Sequence, residues 1–204
     1  PLLEGIDQTS TFYRDIQRLP PAHVLVVGPG TSRMERYWRL DPTRKLRLSR
    51  EDDYLEGFRD CFTEAVRCRL RGCERAGVML SGGIDSAAIA VVGSQMPTPP
   101  ATYSAVGNEG EETRCIRTVI AHLGLRARIV SPAQAGELQP HPSDLVRDLD
   151  DPFDSDLTSV PALMYAAARR EGTRVVLDGV DGDLVTSHGM AYLAYLARAG
   201  QWGR

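Results

Sequence analysis

The sequence lacks what a membrane, a nucleic acid or an oxidising compartment would demand. It carries no excess of positive charge, its net charge being −3, so nothing favours a polyanionic partner. No apolar run approaches the roughly 20 residues that span a bilayer. The start, Pro1-Leu2-Leu3-Glu4, has neither the basic nor the long apolar stretch of a signal peptide. Four cysteines, Cys61, Cys68, Cys73 and Cys115, are too few and too scattered for a disulfide framework, and no CxxC pair or histidine partner accompanies them. Reduced, structural thiols in a cytoplasmic protein are therefore expected. No Gly-Lys-Ser/Thr occurs, which excludes the Walker phosphate loop. What remains, 42% hydrophobic and 25% charged residues in a chain of 204, suits one sizeable soluble core.

The first forty residues read as strands and turns. Ala22 to Val27 is an apolar run ended by Gly28-Pro29-Gly30, and Arg33 to Leu40 carries the strand-favouring Tyr37 and Trp38, which together predict a β-hairpin. Asp41-Pro42 breaks the chain, and residues 42–50 are polar and basic, as a linker would be. The period then changes. Leu55, Phe58, Phe62, Val66 and Leu70 recur at helical spacing and predict a long amphipathic helix with one inward face, capped by Ser49 and stopped at Gly72.

Strands and helices alternate after it. Strands are expected at Gly77 to Leu80, Thr102 to Val106, Arg126 to Val130 and Arg174 to Leu177. Helices are expected at Ser86 to Val92, Glu112 to Leu123, Ser159 to Gly172 and Met190 to Ala199, with a short one near Ser143 to Leu149 inside a Pro/Asp/Ser-rich loop. This alternation predicts an α/β fold with a parallel sheet covered on both faces, whose ligands bind at the carboxyl ends of the strands.

Two loops at such ends carry the chemistry. Ser81-Gly82-Gly83-Ile84-Asp85-Ser86 follows one strand and opens a helix. Its glycines let backbone N–H groups approach a phosphate, the helix dipole favours an anion there, and Ser81 and Ser86 can donate hydroxyl bonds. Asp85 would repel phosphate on its own, so it argues for Mg²⁺ between them. The second loop, Leu177-Asp178-Gly179-Val180-Asp181-Gly182-Asp183, reads either as a second carboxylate-bearing site loop or as a plain Asp/Gly turn.

SGGIDS resembles the pyrophosphate loop of the ATP pyrophosphatases, and the residues around it resemble the asparagine synthetase family over nearly the whole chain. Ile16-Gln17-Arg18-Leu19-Pro20-Pro21-Ala22-His23 is similar to that family's "I-x-x-L-P-P-G-H", with alanine for glycine, and Tyr37-Trp38-Arg39-Leu40 to its "YW-x-L". Val78 to Ser86 is similar to "V-L-L-S-G-G-L-D-S", Tyr103 to Gly107 to "S-F-A-V-G", and His122-Leu123-Gly124 to "H-L-G". The second loop resembles "L-S-G-E-G-S-D-E".

The resemblance implies an adenine-nucleotide alpha-hydrolase-like (PP-loop) domain over residues 51–204, incomplete at its C-terminus. It also implies a 1–40 hairpin remnant of a glutaminase domain and a 41–50 linker. It implies ATP as substrate and Mg²⁺ as metal. Leu80, Ser81, Gly82, Gly83, Asp85, Ser86, Val106, Asp178 and Gly179 would contact ATP or its pyrophosphate, and Asp85 and Asp183 would be the catalytic metal-binding carboxylates. Leu80 and Val106 could equally be plain core. The implied reaction is ATP-dependent amide formation through an adenylated carboxylate, with asparagine from aspartate and ammonia or an amine as the default. An intramolecular cyclase of β-lactam synthetase or lasso-peptide type, or a non-catalytic nucleotide-binding remnant, are the alternatives. Neither nucleic acid nor membrane is expected as a partner, and a homodimer is allowed.

Departures from the family pattern accompany the match. Val180 stands where the family has glutamate, Leu184 where it has an acid, and Ser187-His188-Gly189 replaces its aromatic-glycine ending. His188 reads as a loop histidine or as a substitute for a lost polar group. Pro1 cannot replace the family's N-terminal catalytic cysteine, and Lys45 lies in the linker rather than at the position of its adenylation lysine. This stretch by itself is expected to bind nucleotide but not to turn over.

Overall fold

The computed structural model describes residues 9–11, 13–41, 43–107, 110–134, 160–180, 182–183, 196–198 and 200. The helix expected near Ser143 to Leu149, Leu184, His188 and most of Met190 to Ala199 lie outside these residues. The chain divides into two compact units, Pro1–Leu55 with His141–Asp154, and Glu56–Pro140 with Ser155–Arg204.

In the first unit β1 (His23–Gly28) and β2 (Thr31–Arg36) pair antiparallel, with Gly28 opposite Thr31. That register leaves Pro29-Gly30 as a two-residue turn. Proline fixes its own φ and Gly30 takes φ +69°, a conformation that glycine reaches without a Cβ penalty. Ala22 occupies the left-handed region at φ 59°, and the resembled pattern carries glycine at this position. Its carbonyl accepts the Tyr37 N–H at 2.9 Å, so the turn into β1 is tied to the exit from β2. Tyr37 and Trp38, expected within the second strand, lie just past it and are exposed.

The second unit holds a four-stranded parallel sheet in the order β5-β4-β3-β6, formed by β3 (Ala76–Met79), β4 (Ala101–Ala105), β5 (Ala127–Val130) and β6 (Val175–Leu177). From β3 the chain steps outward through α2 (Ile84–Ser94) and α3 (Glu111–Leu123), then returns after α4 (Val160–Arg170) to lay β6 on β3's other side. The strand order therefore reverses at β3, and the carboxyl ends of β3 and β6 flank the switch point where such sheets bind ligands.

Both faces are covered. On one, α4 sets Leu163, Met164, Ala167 and Ala168 against Met79, Ala101, Tyr103 and Val130. On the other, Ile89 and Ala90 of α2 and Ile116 of α3 pack with Val66, Val78, Leu80 and Leu125. Each such fully buried large side chain contributes about 1.5–3 kcal/mol. Gly77 is small for a visible reason: a Cβ there would stand 2.6 Å from the Tyr103 ring. The Tyr103 hydroxyl donates to Glu171 Oε2 at 3.1 Å and pairs with Thr173 Oγ1 at 2.7 Å, and burial pushes its pKa up. The expected α3 face is observed, with Val119, Ile120 and Leu123 flanking the core and Gly124 closing the helix at φ 62°.

The long helix α1 (Glu51–Leu70) forms, but only part of its apolar face is used. Val66 is buried and Phe62 and Leu70 pack beside it, whereas Leu55 and Phe58 are 57% and 56% exposed. The expected inward face thus corrects to its C-terminal half, because helical spacing identifies a stripe and not how much sheet lies beneath it. Among the described residues no helix is long and apolar enough to cross a membrane. The four cysteines form no disulfide, and Cys61 and Cys68 are exposed on α1.

Candidate functional site

The phosphate-type loop begins where β3 ends. Leu80 still belongs to the sheet: its N–H donates to the Tyr103 carbonyl at 2.8 Å, and its side chain is fully buried. Any ligand contact at Leu80 in this conformation therefore runs through its main chain. Val106, at the end of β4, is half-buried, with its N–H on the Val130 carbonyl at 2.8 Å.

Gly82 makes the turn possible. It takes φ +84°, and a Cβ there would meet the Glu112 carbonyl oxygen at 2.8 Å and the Ile116 side chain at 3.3 Å. Only glycine allows both the left-handed conformation and so close a neighbour. Gly83 is extended (φ −75°, ψ 160°) and is the N-cap of α2 without any side-chain cap bond. The first N–H groups of a helix have no intrahelical acceptor, so this end presents donors and the positive pole of the dipole. The helix starts at Ile84, inside the hexapeptide and ahead of the expected Ser86, which puts Asp85 and Ser86 in its first turn.

Side chains of the loop bond to one another. Ser86, 4% exposed, accepts the Ser81 N–H at 3.2 Å, pairs with Ser81 Oγ at 3.0 Å and donates to the Gly83 carbonyl at 3.1 Å. Gly83 N–H also points at Ser81 Oγ, at 3.4 Å. The two serine hydroxyls hold the loop shut from within, so a phosphate would exchange with an existing network.

The second loop lies directly on the first. A Cβ on Gly179 would stand 2.8 Å from the Ser86 nitrogen and 3.0 Å from Asp85 Cβ. On Gly182 it would stand 2.5 Å from Asp85 Cγ and 2.6 Å from Oδ2. The Asp85 carboxylate thus occupies a cradle that any side chain at position 182 would fill. Asp183 follows Gly182 and is exposed, so the chain brings the second expected carboxylate to the residue next to the one cradling the first. Asp178 accepts the Val180 N–H on Oδ1 at 3.3 Å and the Tyr165 hydroxyl on Oδ2 at 3.1 Å. Val180 is 63% exposed.

Ser81, Gly82, Gly83, Asp85, Ser86, Asp178 and Gly179 accordingly form one cluster at the β3 and β6 ends, with Asp183 at its rim. Two participants carry little or no signal in the sequence. Gly182 was visible in the Asp/Gly-rich run; Tyr165 gave no local signal, since it sits mid-helix, 13 residues before its partner. Among the described residues no three His, Cys, Asp or Glu side chains gather to hold a metal by themselves. The donors present, hard carboxylate oxygens in a backbone cradle, do suit Mg²⁺, which keeps waters and phosphate oxygens beside one or two carboxylates.

A family model described as asparagine synthase matches residues 57–204. An amidase of Gibberella zeae is 38% identical over 88 residues, 42% of this chain and 13% of that protein. Asparagine synthetase [glutamine-hydrolyzing] 1 of Bacillus subtilis is 25% identical over 184 residues, 87% of this chain and 28% of that protein. Among solved structures, the NH3-dependent NAD synthetase of Campylobacter jejuni aligns with a TM-score of 0.44 at 14% identity, covering 67% of this chain and 62% of its own. The chain spans only a small part of the curated relatives it matches.

Proposed function

The chain belongs to the asparagine synthase family, and from that premise we propose that its sheet unit binds ATP for an amide-forming ligase. The observation that carries this reading is the junction of β3, a glycine turn at φ +84° and the uncapped start of α2. In the proposed reaction a carboxylate oxygen attacks the α-phosphorus, the bridge to the β-phosphate breaks and pyrophosphate leaves. An amine or ammonia nitrogen then attacks the acyl carbon, loses a proton and expels AMP. The α2 N-terminus and the loop N–H groups would hold the leaving phosphates, with Ser81 and Ser86 hydroxyls re-aimed toward them. Asp85 and Asp183 would hold Mg²⁺, which neutralises charge on the departing group when bound.

Aspartate is the default carboxylate. An intramolecular amine is favoured as the second reading by one observation: exposed Val180 cannot take a proton where the resembled pattern has glutamate. Residues 1–40 would be the end of a preceding glutaminase domain, and a cytoplasmic setting goes with reduced cysteines.

Calorimetric titration tests the reading. At Gly83 an added Cβ would touch only Ser81 Oγ at 3.4 Å, so Gly83→Val should fold yet obstruct the phosphates. It should weaken Mg·ATP binding by tenfold or more, about 1.4 kcal/mol. Asp85→Asn and Asp183→Asn should weaken Mg·ATP similarly while sparing AMP, which lacks the β and γ phosphates. An unchanged ATP affinity in folded Gly83→Val would overturn the assignment.

A further inference from the structure

Tyr165 and the phosphate loop lie on opposite sides of the sheet. Tyr165, on α4, is partly buried against the core cluster that α4 forms with β3, β4 and β5, while α2 covers the other face. Its hydroxyl nevertheless reaches Asp178 Oδ2 at 3.1 Å, at the carboxyl end of β6. The other oxygen of Asp178 accepts the Val180 N–H at 3.3 Å, and Gly182 N–H donates to the Gly179 carbonyl at 3.2 Å. Gly179 and Gly182 are the two residues whose backbone lies on Asp85 and Ser86. One line of contacts therefore runs from α4 through a carboxylate to the second loop and onto the first.

This footing matters because β6 supplies little of its own. It has three residues, none fully buried, so the loop leaves a short strand at the edge of the sheet. A hydroxyl-to-carboxylate bond is charge-assisted and stronger than a neutral one. Packing alone would be served by phenylalanine; the hydroxyl is what couples helix to loop.

We propose that Tyr165 is a positioning residue: by holding Asp178 it clamps the second loop onto Asp85 and Ser86 and so sets the width of the phosphate cleft. The nucleotide arm of this proposal rests on the ATP reading above; the loop arm does not.

Both arms are tested with Tyr165→Phe in the full chain. Amide order parameters from NMR relaxation at Gly179, Val180 and Gly182 should fall from the rigid value of about 0.85 toward about 0.6. Leu80, Thr102 and the rest of the sheet should keep wild-type values. Mg·ATP should bind about tenfold more weakly, as expected for losing one bond to a charged acceptor. Asp178→Ala should loosen the loop as Tyr165→Phe does, and the double variant should add nothing, the signature of one shared contact. Asp178→Asn, which can still accept from Val180 N–H and donate to the tyrosine oxygen, should keep the loop ordered.

An unchanged loop in Tyr165→Phe overturns the proposal, and so does uniform loosening of the sheet, which would mark a packing role. A loosened loop with wild-type Mg·ATP affinity overturns the claim on the cleft. If the wild-type chain binds no ATP at all, the ATP reading fails and the order parameters still decide whether Tyr165 clamps the loop.

Discussion

The two loops of the site stand at the ends of neighbouring strands, β3 and β6, yet they are built on different principles. The first closes on itself: Ser81 and Ser86 bond within the hexapeptide, and Gly82 is locked against the backbone of α3. The second is held from outside, by a tyrosine 13 residues upstream and by resting on Asp85. A self-contained loop resists change through its own backbone, whereas a borrowed one yields at its contacts. Mutations that are chemically alike should therefore have unlike consequences in the two.

Glycine-to-alanine changes are the severest test. Gly82→Ala meets two penalties that nothing nearby can relieve. A left-handed residue with a Cβ costs roughly 1–2 kcal/mol, and the Glu112 carbonyl oxygen at 2.8 Å is backbone in the first turn of α3, which cannot swing aside as a side chain can. Overpacking of that kind adds about 1–3 kcal/mol, for a loss near 3 kcal/mol, or about 6–12 °C in Tm for a chain of this size. Gly182→Ala meets the Asp85 carboxylate instead, the end of a side chain, and Gly182 does not have positive φ. The carboxylate can turn away, so less than about 1 kcal/mol should be lost. Thermal unfolding of both variants decides the matter, and equal losses would break the distinction.

Hydroxyl removal is the next step down. Ser86→Ala deletes the oxygen that accepts the Ser81 N–H and bonds Ser81 Oγ and the Gly83 carbonyl, leaving three polar partners short of a bond. A buried group so abandoned costs about 1–3 kcal/mol; because these partners lie at a loop, nearer the low end is expected. Chemical denaturation should show a loss of about 1–1.5 kcal/mol.

The contrast between the loops also explains what the sequence could reveal. SGGIDS is contiguous, and its strand before and helix after follow from periodicity, so the first loop was legible to within two residues of the helix start. The central strands were legible because their apolar runs are enclosed, as at β3, where every residue is buried, and at β4, buried at all but its last residue. The β5 and β6 strands are less buried, and their short apolar runs between turn signals marked them. The hairpin shows the limit of such reasoning. His23–Gly28 is at least as apolar as Ala76–Met79, yet Val27 is 71% exposed. Composition makes a strand; only a partner buries it. Leu55 and Phe58 teach the same lesson for helices. Tyr165 was invisible for the remaining reason: its role depends on α4 and β6 meeting in space, which no local pattern encodes.

Ser104→Ala should have the smallest effect and sharpens the contrast most. Ser104 and Ser86 are the same residue type, both essentially buried, at 0% and 4% exposure. Ser86 is bonded through every capacity of its hydroxyl, while Ser104 Oγ has no hydrogen-bond partner among the described residues. A buried donor left unmade carries its desolvation cost with no return, and removing it can be neutral or stabilising. The void left by one oxygen is small, and serine and alanine differ little in volume at this fully buried strand position. Ser104→Ala should therefore change stability by between zero and about +1 kcal/mol, a rise in Tm of at most about 2–4 °C. Ser86→Ala measured alongside must move the other way. If Ser104→Ala instead loses as much as Ser86→Ala, its hydroxyl is bonded in solution, and the sheet holds a polar contact at the β4 end that belongs to the site.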